Sequence, residues 1–580
     1  MRIEDYYLML RNYYPSTLEQ IPFEVTLEDV SVALDCTKRN TNLLLAKMED
    51  RNWINWIPGR GRGNRSTIVF IQNKEAILFS LATKRVQKGD IKGAFQLLEL
   101  QGNFTKWMEQ QMGFVQDETT LDVLRFPFYR PILELDPAFV TRRSEAHMVK
   151  QIFDTLLIYN KKTRMPEANL CHYWQSDSDH KIWRFHLRKG LFFHDGKPLT
   201  AHDVKFTLER ILSVGSPHVW MTEKIKKIKV LHDYRIEIEL VDSNSMFDLF
   251  LCSEGLSIVP SHLSNSESFS RMPVGSGAFS IINNDSTLLK LKANDYYFKE
   301  RAYLDVIEMW VWPDYHGNNP LSGVQVEFLP LTSENHTLKG IENLEIGATY
   351  LVFNLNKKGP QQDSYFREAL HVVLDRYRMI QQLGGGRESP ASGFIPTFDN
   401  DGDMWDMTEA HRLLKQSQYA GESVKLYTYE MKTNEENADW IRDCARDLGV
   451  VLEVEVLPIN ELKKSMWDAD MILAGEVFDH PIELGLLHFF AGGDSFIQVA
   501  LDCELKQLHT LNIEKAMEAC NQEDRLEYLR IIETELKARH AILFLYHSRQ
   551  TVYHHDSLKG ISLNALGWMN YRDLWIDRTS

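Results

Sequence analysis

The stretch from Thr26 to Phe70 constrains the fold of this 580-residue chain more than any other. Thr26 is a typical helix N-cap, and the apolar residues after it recur with helical spacing. Thr37 predicts a second N-cap one tight turn later, so that two helices follow each other directly. Two β-prone runs, WINWI and STIVFI, then flank a glycine-rich turn, which is typical of a hairpin. Helix, turn, helix and hairpin in this order predict a winged helix-turn-helix of the α+β class.

Positive charge is concentrated at the start of the second helix and on the tip of the hairpin, although the whole chain has a formal net charge of −16. Residues 1 to 115 contain 15 Lys/Arg and 13 Asp/Glu. Guanidinium groups on a flexible tip can reach phosphates or a narrow minor groove, and the helix start offers donors to base edges. The predicted contacts with double-stranded promoter DNA are Thr37, Lys38, Arg39, Asn40, Asn42, Arg60, Arg62 and Arg65.

Other interpretations of this N-terminal part stay open. A glycine-rich turn with arginines is also common as a solvated hairpin without a partner, and a winged helix can contact protein instead of DNA. Residues 73 to 119 alternate helical apolar spacing with charge. This pattern predicts a helical connector that serves as a packing spacer, transmits a signal or mediates a homodimer.

The composition points to a soluble, cytoplasmic protein without a membrane partner. The first residues, MRIEDYYLML, lack the apolar run and cleavage site of a secretory signal, and no window approaches the roughly 18 apolar residues of a membrane span. The six cysteines are scattered without a C-x-x-C pair. This distribution favours reduced thiols over a disulfide framework or a zinc site.

From residue 120 onward the sequence pattern changes to short β-prone runs mixed with helical segments, which predicts an α/β or α+β fold. Within this part, WRFHLRKGLFFHDGKPLTAHDVKFTLERI, from Trp183 to Ile211, resembles the signature of family 5 solute-binding proteins, the peptide and nickel class of ABC-transporter receptors. Further segments, among them PVGSGAFSI and ILFLYHSRQ, agree in the order of that family.

The two halves together resemble one family of regulators. DRNWINWIPGRGRGNRSTIVF and the C-terminal LNALGWMNYRDLW look like the SgrR family, which fuses a winged helix to a solute-binding domain. The resemblance implies a multidomain chain with a winged helix over 1–72, a helical connector over 73–119 and a two-lobed α/β periplasmic-binding-protein-like domain of type II over 120–580. It also implies that the chain crosses between the lobes near 351–356 and near 543–547.

A ligand cleft between the lobes follows from the resemblance. In peptide-binding relatives an acidic residue of an Asp-aromatic-x-x-Pro-like loop holds the amino terminus of the ligand. The nearest match is AGEVFDHP, in which neither carboxylate has that spacing from Pro481. The alternative is an exposed acidic loop together with core aromatics. The candidate ligand contacts are Phe128, Tyr129, Arg130, Glu476, Phe478 and Asp479.

No motif predicts a metal, a cofactor or catalysis. Five histidines between 172 and 202 show no H-E-x-x-H spacing with a supporting carboxylate, so structural roles are favoured: His172, His180, His186, His194 and His202. Ser276, in VGSGA, does not lie in a G-x-S-x-G elbow. We therefore expect a protein that is not an enzyme.

Two functions remain. The first is a cytoplasmic DNA-binding transcriptional regulator whose C-terminal domain senses a small polar ligand, of a sugar-phosphate-stress type or peptide-like, and alters promoter binding. The second is a cytoplasmic or transporter-associated solute (oligopeptide) binding protein without DNA-binding activity.

Overall fold

A computed structural model of the chain divides into two compact units, one up to Gly113 and one from Phe114 onward. Two of the predicted DNA contacts, Arg60 and Arg62, lie outside the described residues. Among the residues that are described, no helix is both long and apolar enough to cross a membrane. The structure describes residues 2–59, 64–99, 103–116, 121–263, 268–312, 327–328, 339–396, 405–493, 495–554 and 557–577.

The N-terminal unit contains six helices and a three-stranded antiparallel sheet among its described residues, with the strand order β1-β3-β2. Its elements are α1 (Ile3–Tyr13), β1 (Pro22–Val25), α2 (Leu27–Ala33), α3 (Lys38–Asp50), β2 (Ile54–Ile57), β3 (Ser66–Phe70), α4 (Lys74–Gln87), α5 (Ile91–Glu99) and α6 (Phe104–Gln111). The predicted pair of helices and the two strands of the hairpin are therefore confirmed.

Both predicted helix starts are confirmed by their hydrogen bonds. The Thr26 hydroxyl accepts from the backbone N–H of Asp29 at 3.1 Å, and the Asp29 carboxylate accepts from the backbone N–H of Thr26 in return. Thr37 accepts from the backbone N–H of Asn40 at 3.4 Å. The tight turn between the helices has Asp35 at a φ of 47°. These caps satisfy N–H groups that have no partner inside a helix, which fixes where α2 and α3 begin.

The core of this unit lies between α1, α3 and the sheet. Tyr7, Met48 and Phe70 are fully buried there, and the Tyr7 hydroxyl donates to the carbonyl of Gln72. The Arg11 guanidinium lies 4.4 Å from the centre of the Phe70 ring. Because α3 packs on this core with one side only, its opposite side faces water.

The second unit begins with the strands and helices of a first lobe. Its elements are β4 (Gly113–Gln116), β5 (Asp122–Phe128), α7 (Arg143–Ile152), β6 (Leu157–Asn160), β7 (Met165–Ala168), β8 (Cys171–Ser176), β9 (Ile182–Leu187), α8 (Ala201–Ser213), β10 (Ile225–His232), β11 (Arg235–Leu240), α9 (Phe247–Phe250), β12 (Phe279–Asn284), β13 (Leu288–Ala293), β14 (Val306–Val311), β15 (Glu327–Phe328) and β16 (Lys339–Leu344). One sheet has the order β12-β13-β14-β5-β4, and a second has the order β10-β11-β9-β8.

The chain then forms a second lobe around one large mixed sheet. Its elements are β17 (Gly347–Phe353), α10 (Ser364–Val373), α11 (Arg376–Leu383), β18 (Arg387–Pro390), α12 (Met407–Gln416), β19 (Val424–Tyr429), α13 (Lys432–Leu448), β20 (Leu452–Leu457), α14 (Ile459–Ser465), β21 (Met471–Val477), α15 (Ile482–Ala491), α16 (Cys503–Glu518), α17 (Gln522–Ala538) and β22 (Ile542–His554), followed by β23 (Leu558–Lys559) and β24 (Trp575–Ile576). The sheet order is β15-β22-β17-β21-β19-β20, and β16 and β18 also pair with β22.

The long strand β22 belongs to the apolar cores of both lobes. Near its start, Leu543 and Leu545 pack in the core formed with β17, β19 and α13. Near its end, Val552 packs in the core formed with β5, β13 and Trp568. Because the two ends of β22 pack in different cores, this strand joins the lobes. Residues next to the middle of β22 therefore lie at the boundary between the lobes.

Candidate functional site

One side of α3 is exposed and mixes polar with apolar groups. The exposed residues at helical spacing on this side are Arg39, Asn42, Leu43, Ala46 and Lys47, and the exposed Asp50 follows them at the end of the helix. Leu43 keeps 57% of its surface exposed, whereas the neighbouring Leu45 is fully buried. We call this set the α3 face.

The cations of the N-terminal unit differ in whether a carboxylate holds them. Lys38 pairs with Glu28 of α2, and Arg65 lies 3.6 Å from Glu24. Within the described part of the chain, Arg39 and Lys47 make no ion pair, and both lie on the α3 face. These two charges are therefore available to an external anion.

Thr37 and Asn40, two further predicted DNA contacts, make hydrogen bonds at the start of α3. Thr37 caps the helix, and the amide of Asn40 lies 3.2 Å from the sulfur of Cys36. Asn42 is exposed on the α3 face. Sequence reasoning missed Leu43, Ala46 and Lys47. The cap at Thr37 fixes the start of the helix, and its 3.6-residue period could have placed Lys47 on the same side as Arg39.

A second group of polar residues lies where the two lobes face each other. The Lys150 ammonium, on α7 of the first lobe, donates to Asp479, which follows β21 of the second lobe, at 2.8 Å. Glu254 and Lys161 lie 3.5 Å and 3.9 Å from this pair. The side chains of Lys150 and Asp479 are 32% and 21% exposed, so water reaches the pair. Burial acts to raise the pKa of Asp479, but the Lys150 ammonium holds it below its ordinary value.

A more buried pair lies at the entry to β17. Arg143, at the start of α7, donates to Glu345 at 2.5 Å, and the side chain of Glu345 is only 6% exposed. One turn further along α7, the His147 ring stacks on Trp568 with the ring centres 4.7 Å apart. Burial and the neighbouring Lys150 lower the pKa of His147 to about 3, so this imidazole is neutral.

Two tyrosines approach Glu476 on the sheet of the second lobe. Tyr350 is fully buried, and its hydroxyl has no hydrogen-bond partner within the described residues. Burial and the nearby Glu476 raise the pKa of Tyr350 well above its ordinary value. Burial also raises the pKa of Tyr429, which lies close to Asn434, Glu476 and Arg143. We use "cleft" as a name for the partly buried polar cluster at the boundary of the lobes, which consists of Arg143, Lys150, Tyr350, Tyr429, Glu476 and Asp479.

The structure separates the six predicted ligand contacts. Asp479 and Glu476 belong to the cleft. Arg130 instead makes two hydrogen bonds to Glu145, at 2.6 and 2.9 Å, and lies 3.3 Å from the Tyr129 hydroxyl. Two predicted contacts are core aromatics: Phe128 is 6% exposed beside Trp568, and Phe478 is 3% exposed beside Phe394.

Sequence reasoning missed the cleft residues Arg143, Lys150, Tyr350 and Tyr429. Lys150 and Asp479 are separated by 329 positions. No local pattern marks such a pair, because only the packing of two lobes brings its members together. The strand pattern of β17 predicts a buried Tyr350, but it does not predict that the hydroxyl lacks a hydrogen-bond partner among the described residues.

The described residues contain no group of three or more His, Cys, Asp or Glu that could hold a metal ion. Among the histidines between 172 and 202, His194 bonds to the carbonyl of Gly277 at 3.0 Å and His180 to Ser176 at 2.9 Å. The rings of His172 and His186 lie 6.2 Å apart. The six cysteines are all free thiols.

Known proteins similar to this chain fall into two groups. Residues 166–496 match the family described as bacterial extracellular solute-binding proteins, family 5 (middle part), and residues 2–118 match the N-terminal domain of the sugar transport-related sRNA regulator. The YhjP protein of Bacillus subtilis (strain 168) is 32% identical over 571 residues, which cover 96% of each chain. The HTH-type transcriptional regulator SgrR of Yersinia enterocolitica is 27% identical and covers 96% of each chain.

Solved structures resemble the second unit. The periplasmic binding protein DppA of Helicobacter pylori, in complex with the peptide STSA, has a TM-score of 0.68 at 20% identity, covering 82% of this chain and 100% of its own. The oligopeptide-binding protein AppA of Bacillus subtilis, in complex with a nonapeptide, has a TM-score of 0.67 at 20% identity and covers 79% and 99%. The two-lobed α/β fold is common to these proteins and to this chain.

Proposed function

This chain belongs to the SgrR family, and we propose that it is a cytoplasmic DNA-binding transcriptional regulator. Its N-terminal part matches the N-terminal domain of that family, and its larger part matches the family 5 solute-binding domain. We assign the N-terminal unit as a winged helix whose α3 is the recognition helix. In this assignment residues 1–72 bind DNA, 73–119 connect, and 120–580 form the sensor, with lobe crossovers at 351–356 and 543–547.

The observation that carries the DNA-binding proposal is the α3 face. It presents Arg39, Asn42 and Lys47 to solvent, and neither of its two cations is held by a carboxylate of the described chain. Arg and Asn are the side chains that bind guanine and adenine edges most specifically in the major groove. In the sequence, the segment between β2 and β3 contains Arg60, Arg62 and Arg65, whose charge would favour contacts with the DNA backbone.

Fluorescence anisotropy of the full-length chain tests this proposal. Labelled duplexes that were selected from a random pool are titrated between 50 and 200 mM salt. We expect nanomolar-range binding that weakens steeply with salt, because each neutralised phosphate contributes a slope of about −0.9 in log affinity against log salt. If the folded protein selects no sequence and its duplex affinity does not depend on salt, DNA binding is contradicted. A solute-binding protein without a DNA partner would then be favoured.

The sensor proposal rests on the cleft. The two lobes are joined by β22 and by the ion pair of Lys150 with Asp479. Because this pair is partly exposed to water, a small polar ligand could replace either partner. The Tyr350 hydroxyl, which has no hydrogen-bond partner in the described part of the chain, and the carboxylate of Glu476 offer a donor and an acceptor for such a ligand. Closure of the lobes around it would be the conformational signal for the N-terminal unit.

Calorimetric titration of the full-length chain tests the sensor. A hexose phosphate and a dipeptide are titrated separately, each with and without the selected duplex. A coupling of about 1–3 kcal/mol would change ligand affinity by 5- to 150-fold when DNA is bound, and the duplex affinity by the same factor when ligand is bound. Equal ligand affinities with and without duplex would mean that the cleft does not regulate DNA binding.

A further inference from the structure

The α3 face places apolar groups between its two cations. Leu43 lies one helical turn after Arg39 and one turn before Lys47, so all three project from the same side of α3. Ala46 adjoins them one position before Lys47 and is also exposed. Leu43 is exposed between two cations that make no ion pair within the described residues, and it contributes nothing to the core of this unit. The apolar positions of α3 in that core are Leu44, Leu45 and Met48.

A partner of this face must satisfy two chemistries within a short distance. Arg39 and Lys47 are eight residues apart, which corresponds to about 12 Å along a helix at 1.5 Å per residue. Over this length the partner needs acceptors or negative charge at both ends and an apolar group near the middle. A protein partner that buried this short, charged helix face would have to supply carboxylates at both ends.

Duplex DNA offers this combination in its major groove. Base edges and phosphates present acceptors throughout, and the 5-methyl group of thymine is the apolar group among the base edges. Guanine, adenine and cytosine edges present polar atoms that Leu43 and Ala46 cannot satisfy. Insertion of the α3 face therefore favours a base pair with thymine opposite Leu43.

We propose that Leu43, supported by Ala46, is a specificity-determining residue that contacts the 5-methyl group of a thymine in the operator. The inference rests on the DNA-binding function proposed above and adds the base that this side chain selects. In this arrangement Arg39 and Asn42 hydrogen-bond to neighbouring base edges, and Lys47 contacts a phosphate.

Replacement of thymine by uracil provides the test, since uracil keeps the hydrogen-bonding pattern and lacks the methyl group. The full-length chain first selects duplexes from a random pool. Each thymine of the selected sequence is then replaced singly by deoxyuridine, and duplex affinity is measured by anisotropy. We expect one position at which replacement weakens binding about 4-fold, the equivalent of about 0.8 kcal/mol for one buried carbon group.

The Leu43→Ala variant connects that position to this side chain. It should bind the thymine duplex about as weakly as the wild type binds the uracil duplex, and uracil at this position should cause no further loss. Leu212→Ala is the matched control, because Leu212 is a helical leucine with 60% exposure in the other unit. It should keep the wild-type preference for thymine. The thermal unfolding midpoints of both variants verify that the fold is retained.

Three outcomes would overturn the inference. If no sequence is selected, the proposed DNA-binding function fails and this inference fails with it. If a sequence is selected but no single uracil weakens binding, only the methyl contact is wrong. If uracil weakens binding equally in the wild type and in Leu43→Ala, a methyl group is read by a different residue.

Discussion

The α3 face and the cleft both carry cations, but their electrostatic environments are opposite. Arg39 and Lys47 project into solvent from α3 without an ion pair in the described structure. In the cleft, Arg143 is held by Glu345 and Lys150 by Asp479. One surface is ready for an external anion, whereas the other has already neutralised its positive charge.

This difference suggests two modes of ligand recognition. A DNA-binding surface gains affinity from unpaired cations, because no internal pair must be broken before phosphates or base edges bind. A ligand that enters the cleft must exchange with, or bridge, an existing pair that links the two lobes. Such an exchange makes ligand affinity depend on the conformation of the lobes, which is a requirement for a sensor.

The largest expected effect distinguishes the two surfaces by stability. Arg143→Met should lower the free energy of unfolding by about 3 kcal/mol, because it leaves the Glu345 carboxylate buried without its guanidinium partner. Arg39→Met, the same substitution on the α3 face, should change it by less than about 0.5 kcal/mol. Urea unfolding of the full-length chain, followed by tryptophan fluorescence, measures both. If the two variants have equal free energies of unfolding, the proposed difference between the paired Arg143 and the exposed Arg39 is wrong.

DNA affinity should respond in the reverse order. Arg39→Ala should weaken binding to the selected duplex by about 1–3 kcal/mol, through loss of base-edge hydrogen bonds, and should relax sequence preference. Arg235→Ala is the matched control, since Arg235 is an exposed arginine on β11. The control should bind the duplex as the wild type does. An equal loss for Arg39→Ala on selected and random duplexes would assign Arg39 to phosphate contacts instead.

Mild acid should destabilise the unit with the cleft and not the N-terminal unit. All 20 histidines of the chain lie at or after His147. Below pH 6.5 the unfolded chain binds a proton at His147, whereas burial, with Lys150, lowers the pKa in the folded chain to about 3. Folding stability therefore falls as the pH drops from 6.5 towards 3, by about 2 kcal/mol from this group between pH 7 and pH 5.

The variant His147→Phe isolates this contribution. It keeps an aromatic ring beside Trp568 and removes the titrating nitrogen, so its stability should fall less between pH 7 and pH 5 than that of the wild type. His202→Phe changes an exposed histidine and serves as the control. Parallel pH profiles of the wild type and His147→Phe, from urea unfolding at each pH, would show that His147 does not carry the effect.

The parts of the fold that depend on local chemistry could be predicted from the sequence. The caps at Thr26 and Thr37 act over three residues, and the structure confirms both. The family was also predictable, because its segments occur in order along the chain. The strands of the hairpin followed from β-prone runs on both sides of glycines.

The sites were less predictable, because they depend on which side of an element meets water. Leu43, Leu44 and Leu45 are consecutive leucines, and hydrophobicity alone does not show that the first faces solvent. The pair of Lys150 with Asp479 joins segments 329 residues apart. Arg130 makes a bidentate pair with Glu145, which no motif in the sequence indicated.

The smallest predicted effect concerns the end of the α3 face. Lys47→Ala should weaken binding to selected and random duplexes by the same factor, and the slope of log affinity against log salt should become less steep by about 1, because one phosphate contact is lost. Lys227→Ala, an exposed lysine on β10, is the control and should leave the slope unchanged. Anisotropy titrations at four salt concentrations measure both slopes. If Lys47→Ala changes sequence preference but not the slope, Lys47 contacts a base edge. Arg39 and Lys47 would then both determine which sequence is bound.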